Sequence, residues 1–228
     1  MAMDEVGEEF RATKDLDIVL CVEVLDVAFV KAFWEFVKAG RYRNQQQSTG
    51  RKLFYRFFEP EDESFPYMLE LFSRKPDALV YAGEGRLTPI PMGEEASSLS
   101  AILLDEGYYH FLHAGKRDSQ GLPFVGPEYI IPLKARAWLD LKKRREQGQH
   151  VDRNDIKKHK NDVFRLFRII SPENIVELPE QVAADLNAFI QAIADKPIEL
   201  KNFGYKGAKL DDILTEMRDF YGLGHRQN

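Results

Sequence analysis

The spacing of apolar residues changes near residue 130, and this change constrains the fold more than any other feature of the chain. Before it, short runs such as KLFYRFF and YMLELFS have the composition of strands. After it, apolar residues recur at intervals of three and four, which is typical of amphipathic helices. We therefore predict an α+β protein in which residues 1–130 form a mixed sheet with flanking helices and residues 131–228 form a helical domain.

Individual elements follow from the same patterns. Residues 16–23 predict a first strand, and LDVAFVKAFWEFVKAG predicts a helix that ends at Gly40. A polar loop, NQQQSTG, then precedes three predicted strands, KLFYRFF, YMLELFS and the short RLTPIPM. Residues 94–132 have no sustained period and suggest short strands and loops. Four helices are predicted after them, in PLKARAWLDLKKRREQG, DRNDIKKHKNDVFRLFRII, PEQVAADLNAFIQAIAD and KLDDILTEMRDFYG.

The composition excludes several classes of protein. The formal net charge of -5 argues against non-specific coating of nucleic acid, although a local basic patch stays compatible with RNA or nucleotide binding. The single cysteine, Cys21, rules out a disulfide framework or a cysteine zinc site within one chain, and we interpret it as a small buried residue. No segment approaches the ~18 apolar residues of a membrane span, so we expect a soluble, cytoplasmic protein that does not enter a membrane.

Two aspartates stand at the front of the first strand, in RATKDLDIVL. Side chains alternate along a strand, so Asp15 and Asp17 share one face, with Cα atoms roughly 6.5–7 Å apart. Their oxygens can therefore converge on one or two divalent cations, which take oxygen ligands. The alternative is that both aspartates are ordinary turn or cap residues at the start of a strand.

A third acid, Glu70, interrupts the apolar strand YMLELFS. A buried, unpaired carboxylate is costly, so Glu70 needs a cation, a hydrogen-bonding partner or an exposed face. One interpretation is an exposed face at a sheet edge. The other is that this strand lies beside the first, so that Glu70 joins Asp15 and Asp17 in a metal cage.

These residues carry a resemblance to a known family. RATKDLDIVL, followed by an amphipathic helix and a strand with one acid, resembles the nucleotidyltransferase fold, and its R-x-T-x-D-L-D spelling is most similar to the AbiEii-type toxin branch. The resemblance implies that Asp15, Asp17 and Glu70 hold Mg²⁺, or Mn²⁺ in its place, on the triphosphate of an NTP. An acceptor such as tRNA or another RNA would attack in line, and pyrophosphate would leave. It also implies a toxin that pairs with a cognate antitoxin protein. Arg11 and Thr13 match the lead-in, and Thr13 joins the nucleotide-binding candidates.

A candidate cation lies in the first predicted helix of the helical half. Helical spacing places Lys134 on the apolar face formed by Ala137, Trp138 and Leu141. The lysine either lays its stem along this face and keeps its charge in water, or supplies the cation that meets a triphosphate.

The next helix carries a candidate base. Asp162 is expected at the edge of an inward stripe. The stripe comprises Val163, Leu166, Phe167 and Ile170. Lys158 precedes Asp162 by one turn, so an ordinary surface ion pair is one interpretation. The AbiEii-type branch has a lysine and an aspartate with four residues between them, which Lys157 and Asp162 match. The resemblance thus implies that Asp162 activates the acceptor as a general base and that Lys157 and Lys134 contact the nucleotide.

Two basic runs, KKRR at 142–145 and KKHK at 157–160, fall on these consecutive helices. They are either solvated helix surface or, if the helices are antiparallel neighbours, a local positive face for phosphates. His159 is a possible proton carrier, but the sequence gives it no partner and no role.

One element of the family is missing from the sequence. The nucleotidyltransferase fold normally has a strand, a Gly-Gly or Gly-Ser turn and a helix before the D-x-D strand, where backbone N–H groups meet the phosphates. The one glycine before Asp15 is Gly7, and the residues that follow it are EEF rather than a second glycine or a serine. Two expectations follow: either the chain starts too late, or it is a natural remnant and acts as a non-catalytic interaction protein. A plain metal-binding domain is a third alternative.

Overall fold

The computed structural model describes residues 15–21, 27–46, 52–74, 87–89, 100–171, 173 and 176–224. Predictions for Arg11, Thr13 and the segment around Gly7 lie outside these residues. The chain divides into a sheet unit within residues 10–109 and a helical unit that includes residues 110–228. Sequence composition places the boundary later, near residue 130, because the segment between these two positions has no clear period.

The sheet unit contains a six-stranded mixed sheet and one helix in its described part. Its elements are β1 (Asp15–Val19), α1 (Val27–Ala39), β2 (Arg43–Gln46), β3 (Lys52–Phe58), β4 (Met68–Ser73), β5 (Leu87–Pro89) and β6 (Ser100–Leu103). The strand order is β2-β3-β4-β6-β5, and β1 pairs with β4 outside this path. The β1–β4 and β4–β6 pairs are parallel and the others are antiparallel, which confirms the predicted mixed sheet.

One face of this sheet packs against α1. The core consists of Leu20, Val30, Phe33, Val37, Phe57, Leu69 and Leu71. Phe57 lies edge-on to the rings of Phe33 and Trp34, with centroids 5.5 and 5.7 Å away. Because successive strand residues point to opposite faces, the burial of Leu69 and Leu71 turns Glu70 to the other face. Cys21, expected to be buried, is half-buried.

The sheet unit differs from the sequence prediction at its edge. The prediction of a polar loop in NQQQSTG was wrong for the first three residues, since residues 44–46 belong to β2. This strand lies at the end of the sheet order, and an edge strand needs no apolar side chains on both faces to be stable.

The segment without a clear period contains a helix and a hairpin. Helix α2 (Glu106–Ala114) is followed by β7 (Lys116–Ser119) and β8 (Leu122–Val125), which pair in an antiparallel hairpin. Gln120 and Gly121 connect the two strands with φ angles of 55 and 82°, the positive values that a tight two-residue hairpin turn requires.

The four predicted helices of the second half are confirmed. They are α3 (Pro127–Glu146), α4 (Arg153–Phe167), α5 (Glu180–Ile193) and α6 (Leu210–Phe220). Helix α3 packs against both α4 and α5. It therefore buries Ile131, Ala135 and Trp138, whereas the predicted face members Ala137 and Leu141 are only half-buried. Helix α4 ends before Ile170 of its predicted stripe.

A proline inside α3 is matched by a hydrogen bond from the end of α6. Pro132 has no N–H, so it cannot donate to the carbonyl of Glu128 one turn earlier. The hydroxyl of Tyr221 donates to that carbonyl over 2.7 Å. A buried carbonyl that the helix leaves without a donor is thereby satisfied by a side chain distant in sequence.

Among the residues placed by the structure, no helix has both the length and the apolar character that crossing a membrane requires.

Candidate functional site

Three charged side chains form a row across adjacent strands of the sheet unit. In the parallel β1–β4 pair, Asp17 is opposite Glu70, and in the antiparallel β3–β4 pair, Arg56 is opposite Glu70. Residues paired in this way share a face, and neighbouring strands lie about 4.8 Å apart. Asp15 is two positions before Asp17 and has the same face. The pairing therefore brings the three predicted acids to one face of two neighbouring strands.

Glu70 lies inside the sheet rather than at its edge. It has a paired strand on either side, and its side chain is 14% exposed. The interpretation of Glu70 as an exposed residue of an edge strand was therefore wrong. Asp17 is exposed and Asp15 is half-buried, so the acidic face is accessible at the β1 side.

Arg56 neutralises Glu70. Its guanidinium donates a hydrogen bond to the Glu70 carboxylate over 2.5 Å and forms an ion pair with it. Burial raises the pKa of Glu70 above its ordinary value, the Arg56 charge opposes this, and the charges of Asp17 and Asp15 raise it further. The excess of negative charge on this face is the condition that a bound cation would relieve.

The donor set has the chemistry of a site for a hard divalent cation, since such ions take carboxylate oxygens. Within the described ranges, no three His, Cys, Asp or Glu side chains are grouped closely enough to hold one ion. Glu70 is turned to Arg56 instead. Asp15 and Asp17 would therefore be the first ligands of such an ion, and Glu70 would join them only after Arg56 released it.

Lys134 and Asp162 lie in the helical unit, on the two helices that pack together as α3 and α4. Asp162 is 4% exposed rather than at the edge of the buried stripe. Its carboxylate accepts a hydrogen bond from Arg165 over 3.1 Å, one turn along the helix. Lys134 is half-buried and its charge acts on His159. The contact with Arg165 gives the buried Asp162 a partner, and the functional roles of Asp162 and Lys134 remain predictions.

His159 was given no role from the sequence, and the structure gives it an unusual setting. Burial, with the charges of Lys134 and Lys158, lowers its pKa to about 4, so the imidazole is neutral at pH 7. Its Nδ1 is buried and has no hydrogen-bond partner within the described part of the chain. No sequence signal shows this, because it depends on how α4 packs.

Lys157 does not share the buried position of Asp162. It is exposed and lines a basic groove with residues of α3 and the N-terminal half of α4. Five residues on a helix span about 500°, so the two side chains diverge in direction. Lys157 and Asp162 match the spacing of the family motif and lie on one helix, but their side chains lie on different sides of it.

Arg56 is the residue of this site that sequence reasoning missed. Apart from Lys52 at its start, KLFYRFF carries one charged residue, Arg56, and YMLELFS carries one charge of the opposite sign, Glu70. That coincidence is the signal that would have predicted their pairing.

Comparison of the chain with protein-family models, curated proteins and solved structures finds no match.

Proposed function

We propose that the protein is a magnesium-dependent enzyme of the nucleotidyltransferase type, which transfers a nucleotide from an NTP to an acceptor such as RNA. The observation that carries the proposal is the pairing of Asp17 with Glu70 on parallel strands, with Asp15 on the same face. Three acids on two neighbouring strands match the pattern that the D-x-D motif led us to expect. A toxin role with an antitoxin partner remains part of the proposal through the family resemblance.

The carboxylates have a defined task in this proposal. Asp15 and Asp17 would hold Mg²⁺, or Mn²⁺, and Glu70 would complete the set. The bound ion would neutralise charge on the triphosphate as pyrophosphate leaves. The five paired positions of β1 and β4 fix the backbone of the two aspartates relative to that of Glu70, which supports the proposal. Arg56 must move from Glu70 for the third ligand to take part.

Nucleotide transfer from each labelled NTP to bulk tRNA in the presence of Mg²⁺ tests the proposal. We expect Asp17→Asn and Glu70→Gln to reduce transfer by at least about 100-fold, because each removes a ligand charge that acts in the transition state. Glu63→Gln is the matched control, since Glu63 is an exposed acid between β3 and β4. Absence of transfer with every NTP, or undiminished transfer by Asp17→Asn, would overturn the enzymatic proposal.

The ion pair between Arg56 and Glu70 favours a second candidate, a non-catalytic interaction protein on the same scaffold. Here Arg56 would permanently take the place of the cation beside Glu70. Calorimetric titration with Mn²⁺, with and without an NTP, separates the candidates. The enzyme predicts that both bind, a plain metal-binding domain predicts Mn²⁺ alone, and the interaction protein predicts neither.

A further inference from the structure

A groove of about 530 Å³ in the helical unit is lined by six cationic side chains among its nine lining residues. Its positive residues are Lys142, Arg145, Arg153, Lys157, Lys160 and Lys196. They come from the end of α3, the first turns of α4 and the chain just after α5. Residues of both basic runs therefore line the same groove. Lys196 adds a further positive charge, which the sequence analysis did not connect with these runs.

Most of these charges have no ion-pair partner among the residues that the structure describes. The one acid in the groove, Glu146, pairs with Lys142 at 3.5 Å. In the part of the chain that the structure describes, the other five cations form no salt bridge. Surface cations of folded proteins are usually interspersed with acids, so this local excess of charge calls for an anion.

The groove combines this charge with an apolar wall. Trp138 and Ile156 line it, and the Lys142 ammonium lies 5.4 Å from the centre of the Trp138 ring. Burial lowers the pKa of Lys160, and the charges of Lys157 and Lys196 lower it further. A volume of this size suits a ligand as large as a nucleotide.

We infer that this groove of the helical unit is a phosphate-binding site and that it takes a ligand with two or more adjacent phosphate groups. Adjacent phosphates match a cluster of cations better than a single carboxylate does, since each carries its own charge and several acceptor oxygens. A free polyphosphate and the backbone of an RNA share this chemistry. The inference does not depend on nucleotide transfer.

Binding in the presence of EDTA tests the site without any contribution from a divalent cation. The probes are tripolyphosphate, followed by calorimetry, and a fluorescein-labelled 12-nucleotide single-stranded RNA, followed by anisotropy at 50 mM NaCl. We expect the double variant Lys160→Gln, Lys196→Gln to weaken binding of the preferred probe at least about tenfold. A second double variant, Arg145→Gln, Arg153→Gln, changes exposed positions at the rim and should have the same effect.

The matched control is Lys201→Gln, Lys206→Gln, which removes the same charge from exposed positions of the same unit outside the groove. Tripolyphosphate binding that only the groove variants weaken supports a site for a small polyphosphate. RNA binding that only the groove variants weaken, with no binding of tripolyphosphate, supports a site for a nucleic-acid backbone. Failure of both probes to bind, or equal weakening by groove and control variants, would overturn the inference. Because no divalent cation is present, these outcomes are independent of the proposed transferase activity.

Discussion

Arg56 lies directly opposite Glu70 in the antiparallel β3–β4 pair, and its guanidinium donates a hydrogen bond to the Glu70 carboxylate over 2.5 Å. The carboxylate is 14% exposed and the arginine side chain 38% exposed, so the two partners are unequally buried. Removing one partner therefore has a different cost from removing the other.

We expect Arg56→Met to destabilise the protein by about 2 kcal/mol at pH 7, because it leaves a largely buried carboxylate beside Asp17 and Asp15. Glu70→Gln should cost less than about 1 kcal/mol, since the amide oxygen still accepts from Arg56 and the repulsion with the aspartates disappears. Urea unfolding measures both. Arg43→Met, which breaks an exposed pair with Glu59, is the control and should cost under about 0.5 kcal/mol.

The loss of stability caused by Arg56→Met should depend on pH. The pKa of Glu70 is raised in the folded protein, so protonation favours the folded state, and this stabilisation is lost as pH rises through the folded pKa. Removing the Arg56 charge raises this pKa further. We therefore expect the deficit of Arg56→Met to shrink when unfolding is repeated at pH 5. An equal deficit at both pH values would contradict the assigned cause.

Manganese binding is expected to respond to Arg56 as well. If the guanidinium competes with a cation for Glu70, Arg56→Gln should tighten Mn²⁺ binding by about tenfold, because the competing pair no longer has to open. Calorimetry with Arg43→Gln as the matched control measures the difference. Unchanged Mn²⁺ affinity in Arg56→Gln would show that Glu70 is not a ligand.

Variants of Asp162 can distinguish a structural role of this carboxylate from a catalytic one. We expect Asp162→Ala to cost about 2 kcal/mol, because the carboxylate is buried and bonded to Arg165. Asp140→Ala, at a partly exposed pair with Arg144, should cost under about 0.5 kcal/mol. Urea unfolding gives these values, and transfer assays on Asp162→Asn add the functional test. Normal folding with lost transfer would support acceptor activation, whereas normal transfer would exclude it.

The lowered pKa of His159 predicts that the protein loses stability in mild acid. Its pKa is about 4 in the folded protein, below the ordinary value of 6.5, so protonation favours the unfolded state. The stabilisation is present above pH 6.5 and is lost as pH falls toward 4. Between pH 7 and pH 4.5 we expect a loss of about 2 to 3 kcal/mol. Unfolding experiments on His159→Gln should lack this part of the loss, while the exposed control His150→Gln should retain it.

Pro132 and Tyr221 are expected to be energetically coupled. Tyr221→Phe leaves the buried carbonyl of Glu128 without its donor and should cost about 1 to 2 kcal/mol. In a Pro132→Ala background the helix supplies its own N–H, so the same change should cost about 1 kcal/mol less. A double-mutant cycle by urea unfolding measures this coupling. Strict additivity would show that the hydroxyl does not replace the missing helix donor.

Periodicity was sufficient to predict the helices of the second half and the strand that carries Glu70, whereas the pairing of this strand with β1 was only one of two alternatives. Alternation in a single strand also predicted that Asp15 and Asp17 share a face. The Arg56 contact was not predictable in this way, because the register of β3 on β4 depends on pairing between segments. The setting of His159 was not predictable for the same reason: residues 158–167 of α4 are all at least partly buried, so the packing of the helix and not its periodicity determines the surroundings of His159.

Helix α2 illustrates a different failure. Its buried residues Tyr108, Tyr109, Phe111 and Leu112 have helical spacing, but only nine residues separate its start from the glycine that ends it. A nine-residue helix with a glycine at its second position and another directly after its end offers too few repeats for a period to be distinguished from a loop.

The two faces of the sheet differ in what a substitution there would change. Leu69 and Leu71 fix the fold from the α1 side, while Asp17 and Arg56 lie on the other side. Substitutions on the charged face can therefore accumulate without rebuilding the interior. The charge that this face presents to a ligand is therefore set by a few side chains, while the packing that holds the strands together is set on the opposite face.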